Sequence, residues 1–169
     1  MTISEIKQLF LTRLDILDHI LSVGEQHFTD MDHVMRERLA DDMLPLGAQV
    51  ALACNQPRGF SQWCAGQPVE NLDTDVSSLA QARDYIRQTR EQVEAIDATD
   101  RQLDEIKRLG LGPGRFCELP AQQYLHDFLI PNLYFHITTS YAILRKLGVP
   151  LSKTDFLRYL MPHVREDAS

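Results

Sequence analysis

The sequence predicts an all-α fold, a four-helix bundle, on three observations. Four long segments repeat apolar residues at spacings of three and four, loops rich in Gly, Pro, Asn and Asp separate them, and strand-forming sequence is confined to one short stretch. With 169 residues, 44% of them hydrophobic, the chain can bury one sizeable core and is too short to favour two, so a single domain over residues 1–169 is expected.

Thr2-Ile3-Ser4-Glu5 has the form of a capping box, in which a hydroxyl and a carboxylate satisfy amide donors left free at a helix start. Ile6, Phe10, Leu14, Leu17, Leu21, Gly24 and Phe28 then lay one apolar stripe, which predicts a first helix over residues 3–28. A short helical piece at 32–39 leads to a second long helix starting near Asp41-Asp42, because acidic residues suit an amino-terminal turn that also tolerates Pro45. Leu46, Val50, Ala53 and Cys54 form its buried edge. Pro57, within Asn55-Gln56-Pro57-Arg58-Gly59, removes an amide donor and predicts a kink before the helix ends near 65–68.

Val76, Leu79, Ala82, Ile86, Val93 and Ile96 mark one face of a third helix, about 75–98, with its charged residues elsewhere. Residues 106–109 and 115–119 flank Gly110-Leu111-Gly112-Pro113-Gly114, the pattern of a small β-hairpin between the third and fourth helices. The fourth helix runs from Pro120 to Leu147, where Gly148 stops it and Pro150 prevents its resumption. Residues 152–160 predict a short terminal helix.

Seventeen Lys and Arg against 24 Asp and Glu leave a formal charge of −7, and the densest cationic stretches, 36–38 and 101–108, are interleaved with or flanked by acidic residues. That field repels phosphate backbones and anionic lipid, so neither nucleic acid nor a membrane is an expected partner. No window approaches the roughly 18 consecutive apolar residues of a spanning helix, and Glu5, Lys7, Arg13 and Asp15 interrupt any signal-peptide core, so a cytoplasmic protein is expected. Cys54, Cys64 and Cys117 are odd in number and lack zinc-site spacing, which predicts reduced, partly buried thiols. The chain has no Gly-rich phosphate loop ending in Lys-Ser/Thr and no Gly-x-Ser-x-Gly elbow.

The chemistry-bearing residues concentrate in the fourth helix. Asn132 and His136 are four apart and project side by side, which is the spacing of ligands on one helix of a bundle. The alternative is a core histidine whose nitrogens bond to polar neighbours. Pro131 frees a carbonyl one turn earlier, near Asp127, and that carbonyl needs a side chain or water. His19 and His27 are too far apart along the first helix to share an ion, His126 stands ten residues and a proline before His136, and His33 and His163 read as solvated. Asp41 and Asp42 read as a helix cap.

Pro131-Asn132-Leu133-Tyr134-Phe135-His136-Ile137-Thr138-Thr139-Ser140-Tyr141-Ala142-Ile143-Leu144-Arg145, followed by Gly148-Val149, Lys153 and Asp155-Phe156-Leu157, resembles an uncharacterised bacterial family, a domain of unknown function. That family lies in the DinB/YfiT-like metalloenzyme superfamily. Leu39-Ala40-Asp41-Asp42-Met43-Leu44-Pro45-Leu46, with Gln49-Val50 and Ala53, resembles its second-helix pattern, so the likeness covers most of the chain. The resemblance implies a DinB-like bundle that holds a divalent metal with three histidines, one from the second helix and two from the fourth, often for thiol transfer.

Transferred residue by residue, those ligand positions fall on Gln49, Asn132 and His136, so only one is an imidazole. Carboxamides are poor partners for zinc or nickel, which prefer imidazole, thiolate or carboxylate. The resemblance with this departure implies a degenerate metal site and no cofactor, in a non-catalytic or small-ligand-binding bundle where Gln49, Asn132 and His136 form a hydrogen-bonded polar cluster or line a pocket for a small polar ligand. Such a bundle would act as a homodimer through apolar helix faces. The alternative is a metal-dependent, thiol-transferase-like enzyme with zinc or nickel on His136 and with His136 and Tyr141 as catalytic candidates. A pure interaction module is a third reading, and the residues leave open whether the protein is an enzyme.

Overall fold

The computed structural model describes residues 1–110 and 113–165. Helix α1 spans Ile3–His27, and its capping box forms as the sequence predicts. The Thr2 hydroxyl accepts from the Glu5 N–H at 3.2 Å, and the Glu5 carboxylate accepts from the Thr2 N–H at 2.8 Å. A single turn, α2 (Met31–Val34), is capped by Asp30 and replaces the longer piece expected over 32–39.

Helix α3 spans Leu46–Cys64, so Asp41-Asp42 precedes it in an exposed turn instead of starting it. Pro45 occupies the capping position, where its missing N–H and preset φ cost nothing. Pro57 lies inside α3 without ending it. Its removal of one hydrogen bond costs roughly 3 kcal/mol, and burial of Cys54, Phe60 and their neighbours against α4 and α6 outweighs that loss.

Helix α4 spans Leu79–Glu94, shorter at both ends than the apolar period suggests. At the start, the Ser78 hydroxyl accepts from the Gln81 N–H and the Asp32 carboxylate accepts from the Leu79 N–H, which satisfies the free amides there. Val76 is buried from the preceding loop, not from the helix, because that loop runs across Gly47 of α3. At the other end, Lys7 Nζ donates to the carbonyls of Glu94 and Ile96 at 3.0 and 2.9 Å.

A 3-10 turn at Asp100–Asp104 leads into the expected hairpin, strands β1 (Ile106–Gly110) and β2 (Phe116–Pro120), antiparallel with Arg108 opposite Glu118. Leu111 and Gly112 of its turn lie outside the described residues. The last long helical segment then comes in three pieces: α5 (Ala121–Tyr124), a π turn (Leu125–Leu129) and α6 (Ile130–Lys146). The π turn ends two residues before Pro131, and the wider turn relieves the clash between a proline ring and the preceding carbonyls. Gly148, with φ +89°, stops the helix in the left-handed region that glycine tolerates best.

The terminal helix expected over 152–160 is two pieces, α7 (Lys153–Phe156) and a 3-10 turn at Arg158–His163. His19 of α1 meets the Asp155 carboxylate of α7 at 2.8 Å, and the hydrogen bond holds that carboxyl down at about 2. His19 is therefore a docking partner.

Around the bundle α1 packs on α4 and α6, and both pack on α3, which leaves α1 and α3 diagonal. Phe10 and Phe60 meet edge to face across that diagonal with ring centres 5.6 Å apart. No helix among the described residues is long and apolar enough to cross a membrane.

Candidate functional site

The site is built where the first turns of α3 face the middle of α6. Gln49 stands one turn into α3 and is 2% exposed. Its Nε2 donates to the Leu44 carbonyl at 3.2 Å, in the loop that leads into the helix. That bond turns Oε1 toward α6, where it lies 2.8 Å from His136 Nδ1. A carboxamide oxygen only accepts, so Nδ1 carries the proton and Nε2 is left with a bare lone pair.

Nε2 has no hydrogen-bond partner among the described residues and is not a buried orphan, so its lone pair opens to solvent from a half-buried ring. Burial lowers the pKa of His136 below its ordinary 6.5, which favours the neutral imidazole. The exposed ring of Phe135 stands edge-on at 5.3 Å, and exposed Leu44 lies on the other side of the Gln49 bridge. The outcome is one imidazole acceptor, fixed in tautomer, with the Phe135 ring edge-on beside it.

Asn132 and His136 share a face of α6, as their spacing requires, yet their side chains do different work. Asn132 Nδ2 donates to the Phe128 carbonyl at 2.7 Å, at the end of the π turn. Its amide therefore repairs backbone bonding disturbed around Pro131, and only Oδ1 remains to face a ligand. Tyr141 does not reach the cluster. Five residues beyond His136, it points about 140° away around the helix and packs edge-on against Phe156 with ring centres 6.0 Å apart. Tyr134 is likewise engaged elsewhere, its hydroxyl accepting from Arg13 Nε at 2.8 Å.

Of the residues read from the sequence, the fold joins Gln49 to His136, sets Asn132 beside them without a bond to either, and separates Tyr141. Both polar atoms of the Gln49 amide are committed, to Leu44 and to His136, so Gln49 orients the histidine instead of standing beside it as a second donor. This arrangement does not fit a divalent ion held by Gln49, Asn132 and His136 together. Among the described residues no group of three His, Cys, Asp or Glu side chains is placed to hold a metal. The Leu44 carbonyl and the Phe135 ring escaped the sequence reading because backbone acceptors and exposed aromatic residues carry no distinguishing pattern.

A helical bundle with one small hairpin and a single imidazole between its second and fourth long helices belongs with the DinB-like proteins of unknown function. The model of the DUF1993 family, a domain of unknown function, matches residues 5–157, and the chain belongs to that family. Among solved structures it is similar to a DinB family member protein from Shewanella denitrificans. The two are 30% identical with a TM-score of 0.71, over 92% of this chain and 89% of that one. No curated protein matches.

Proposed function

We propose that this DinB-like protein is a non-catalytic bundle that binds a small polar ligand at His136, in a site that has lost its metal. The observation that carries the reading is the Nδ1–H bond to Gln49, which leaves Nε2 as a fixed, solvent-facing acceptor. A neutral imidazole in that state takes an N–H or O–H from a ligand, with Asn132 Oδ1 one helical turn away as a second acceptor. Phe135 supplies an apolar wall beside it. Self-association in the cytoplasm belongs to the same reading and is checked by sedimentation of the purified protein.

The experiment is a thermal-shift screen of small hydroxylated and amino compounds, run beside zinc, nickel and manganese and repeated with His136→Ala. A compound should raise the unfolding temperature of the parent and not of the variant, while the purified protein carries no stoichiometric metal. Stoichiometric metal that is lost in His136→Ala would overturn the proposal. It would favour the alternative, a metal-dependent enzyme at the same residue, for which a neutral histidine is also the required form.

A further inference from the structure

A cavity of about 510 Å3 lies at the far end of α3 from Gln49, between the last turn of α3 and the last turn of α4. Its wall includes Ser61, Gln62, Cys64, Gln92 and Asp97. Roughly 20 Å of helix separates it from the His136 site. We infer that this cavity binds a small organic cation, an alkyl ammonium or guanidinium, through the Gln92 carboxamide oxygen and the Asp97 carboxylate.

Three features select that chemistry. First, Gln92 Oε1 is closed off without a hydrogen-bond partner, a state that costs free energy, and a turn of its half-buried amide toward the cavity lets a bound donor relieve it. Second, acceptors outnumber donors once the carboxamides of Gln67 and Gln92, each with one oxygen and one nitrogen, are set aside. Ser61 is 7% exposed and spends its hydroxyl proton on the Pro57 carbonyl at 2.9 Å, which leaves only lone pairs, whereas Gln62 Nε2 is a donor without a partner among the described residues. Third, the local field is negative. The α3 carboxyl terminus ends here with no basic residue in its last turn, Lys7 meets the α4 terminus only on its other flank, and the lining carries Asp97 and no basic side chain.

The protein itself shows what this end of α4 takes. On its other side the Lys7 ammonium bridges the carbonyls of Glu94 and Ile96, and Ile96 and Asp97 are shared between the two flanks. Burial first and the Glu105 carboxylate second push the Cys64 thiol of the same wall up to about 11, so it adds no anion of its own. The volume suits a molecule of a few to a dozen heavy atoms.

Isothermal titration with putrescine and with agmatine tests the inference, with succinate as the anionic and glucose as the uncharged comparison. At least one cation should bind at millimolar concentration or tighter and the comparisons should not. Gln92→Met and Asp97→Asn should each weaken binding by about ten-fold or more. His136→Ala and Asp42→Asn, the latter removing an exposed carboxylate before the other end of α3, should leave it unchanged. Absence of binding by both cations, equal binding of succinate, retention by both cavity variants, or loss in either control would overturn it. Because His136→Ala spares this site, its failure and that of the ligand site at His136 are distinguishable.

Discussion

His136 Nδ1 and Gln49 Oε1 meet at 2.8 Å between α6 and α3, and the Leu44 carbonyl holds the same Gln49 amide from behind at 3.2 Å. One carboxamide thus ties α6 to α3 and to the loop that leads into α3. The direction of each bond follows from the last one in the chain, because a backbone carbonyl only accepts.

Gln49→Ala removes both bonds and leaves a ring N–H and a backbone carbonyl without partners. The expected loss is about 1–2 kcal/mol, since the histidine is only half-buried and water meets part of the need. Urea unfolding measures the loss. Nitrogen NMR of the ring should show the tautomer ratio moving away from the Nδ1–H form. Unchanged stability with an unchanged tautomer would show that the bond orients nothing.

The depressed pKa of His136 sets a sign for the pH dependence. Above its ordinary 6.5 the histidine is neutral in the folded and unfolded chains and contributes no slope. As pH falls below 6.5 the unfolded chain takes up the proton first, so this group lowers stability until the folded-state pKa is passed. Gln49→Glu places a carboxylate on Nδ1 and should reverse that sign by favouring the imidazolium. Ring-proton titration of both proteins checks it, and a midpoint in Gln49→Glu at or below that of the parent would refute the assignment.

Gln49→His with Asn132→His puts imidazoles at both positions that the family resemblance assigns to ligands. The double variant should gain a zinc- or nickel-dependent rise in unfolding temperature that the parent lacks. If circular dichroism shows it folded and no rise occurs, Gln49 and Asn132 do not occupy those positions.

Gly47 lies in the first turn of α3, where a Cβ would come within 2.0 Å of the Val76 carbonyl oxygen. The obstacle is backbone, so no side-chain rotation relieves it. Gly47→Ala, favourable for an isolated helix, should instead destabilise the protein by roughly 3 kcal/mol or prevent folding. Chemical denaturation decides this, and stability equal to the parent would mean that the loop before α4 moves aside at little cost.

The architecture was legible in the sequence because burial leaves a periodic trace. Residues Ile6, Phe10, Leu14, Leu17 and Leu21 are all buried along α1, as a helical stripe requires. Element ends were less legible. Val76 fits the period of α4 yet is buried from a loop, and the true start at Ser78 depends on Asp32, a residue distant in the chain. Pro57 illustrates the same limit, since local propensity argues for a disturbance and tertiary packing carries the helix through it.

What the sequence by itself determined is the four-helix bundle, the small hairpin and the family, together with a single imidazole among the three residues that the resemblance assigns to ligands. Those properties reside in residue identity and local spacing. Only the tertiary structure decided that Gln49 spends its amide on His136 and Leu44, that Asn132 turns back to its own helix, and that Gln92 is left without a partner beside a cavity. Each is a choice of hydrogen-bond partner. A side-chain amide can satisfy many partners equally well, and which one it meets is fixed only when the helices pack.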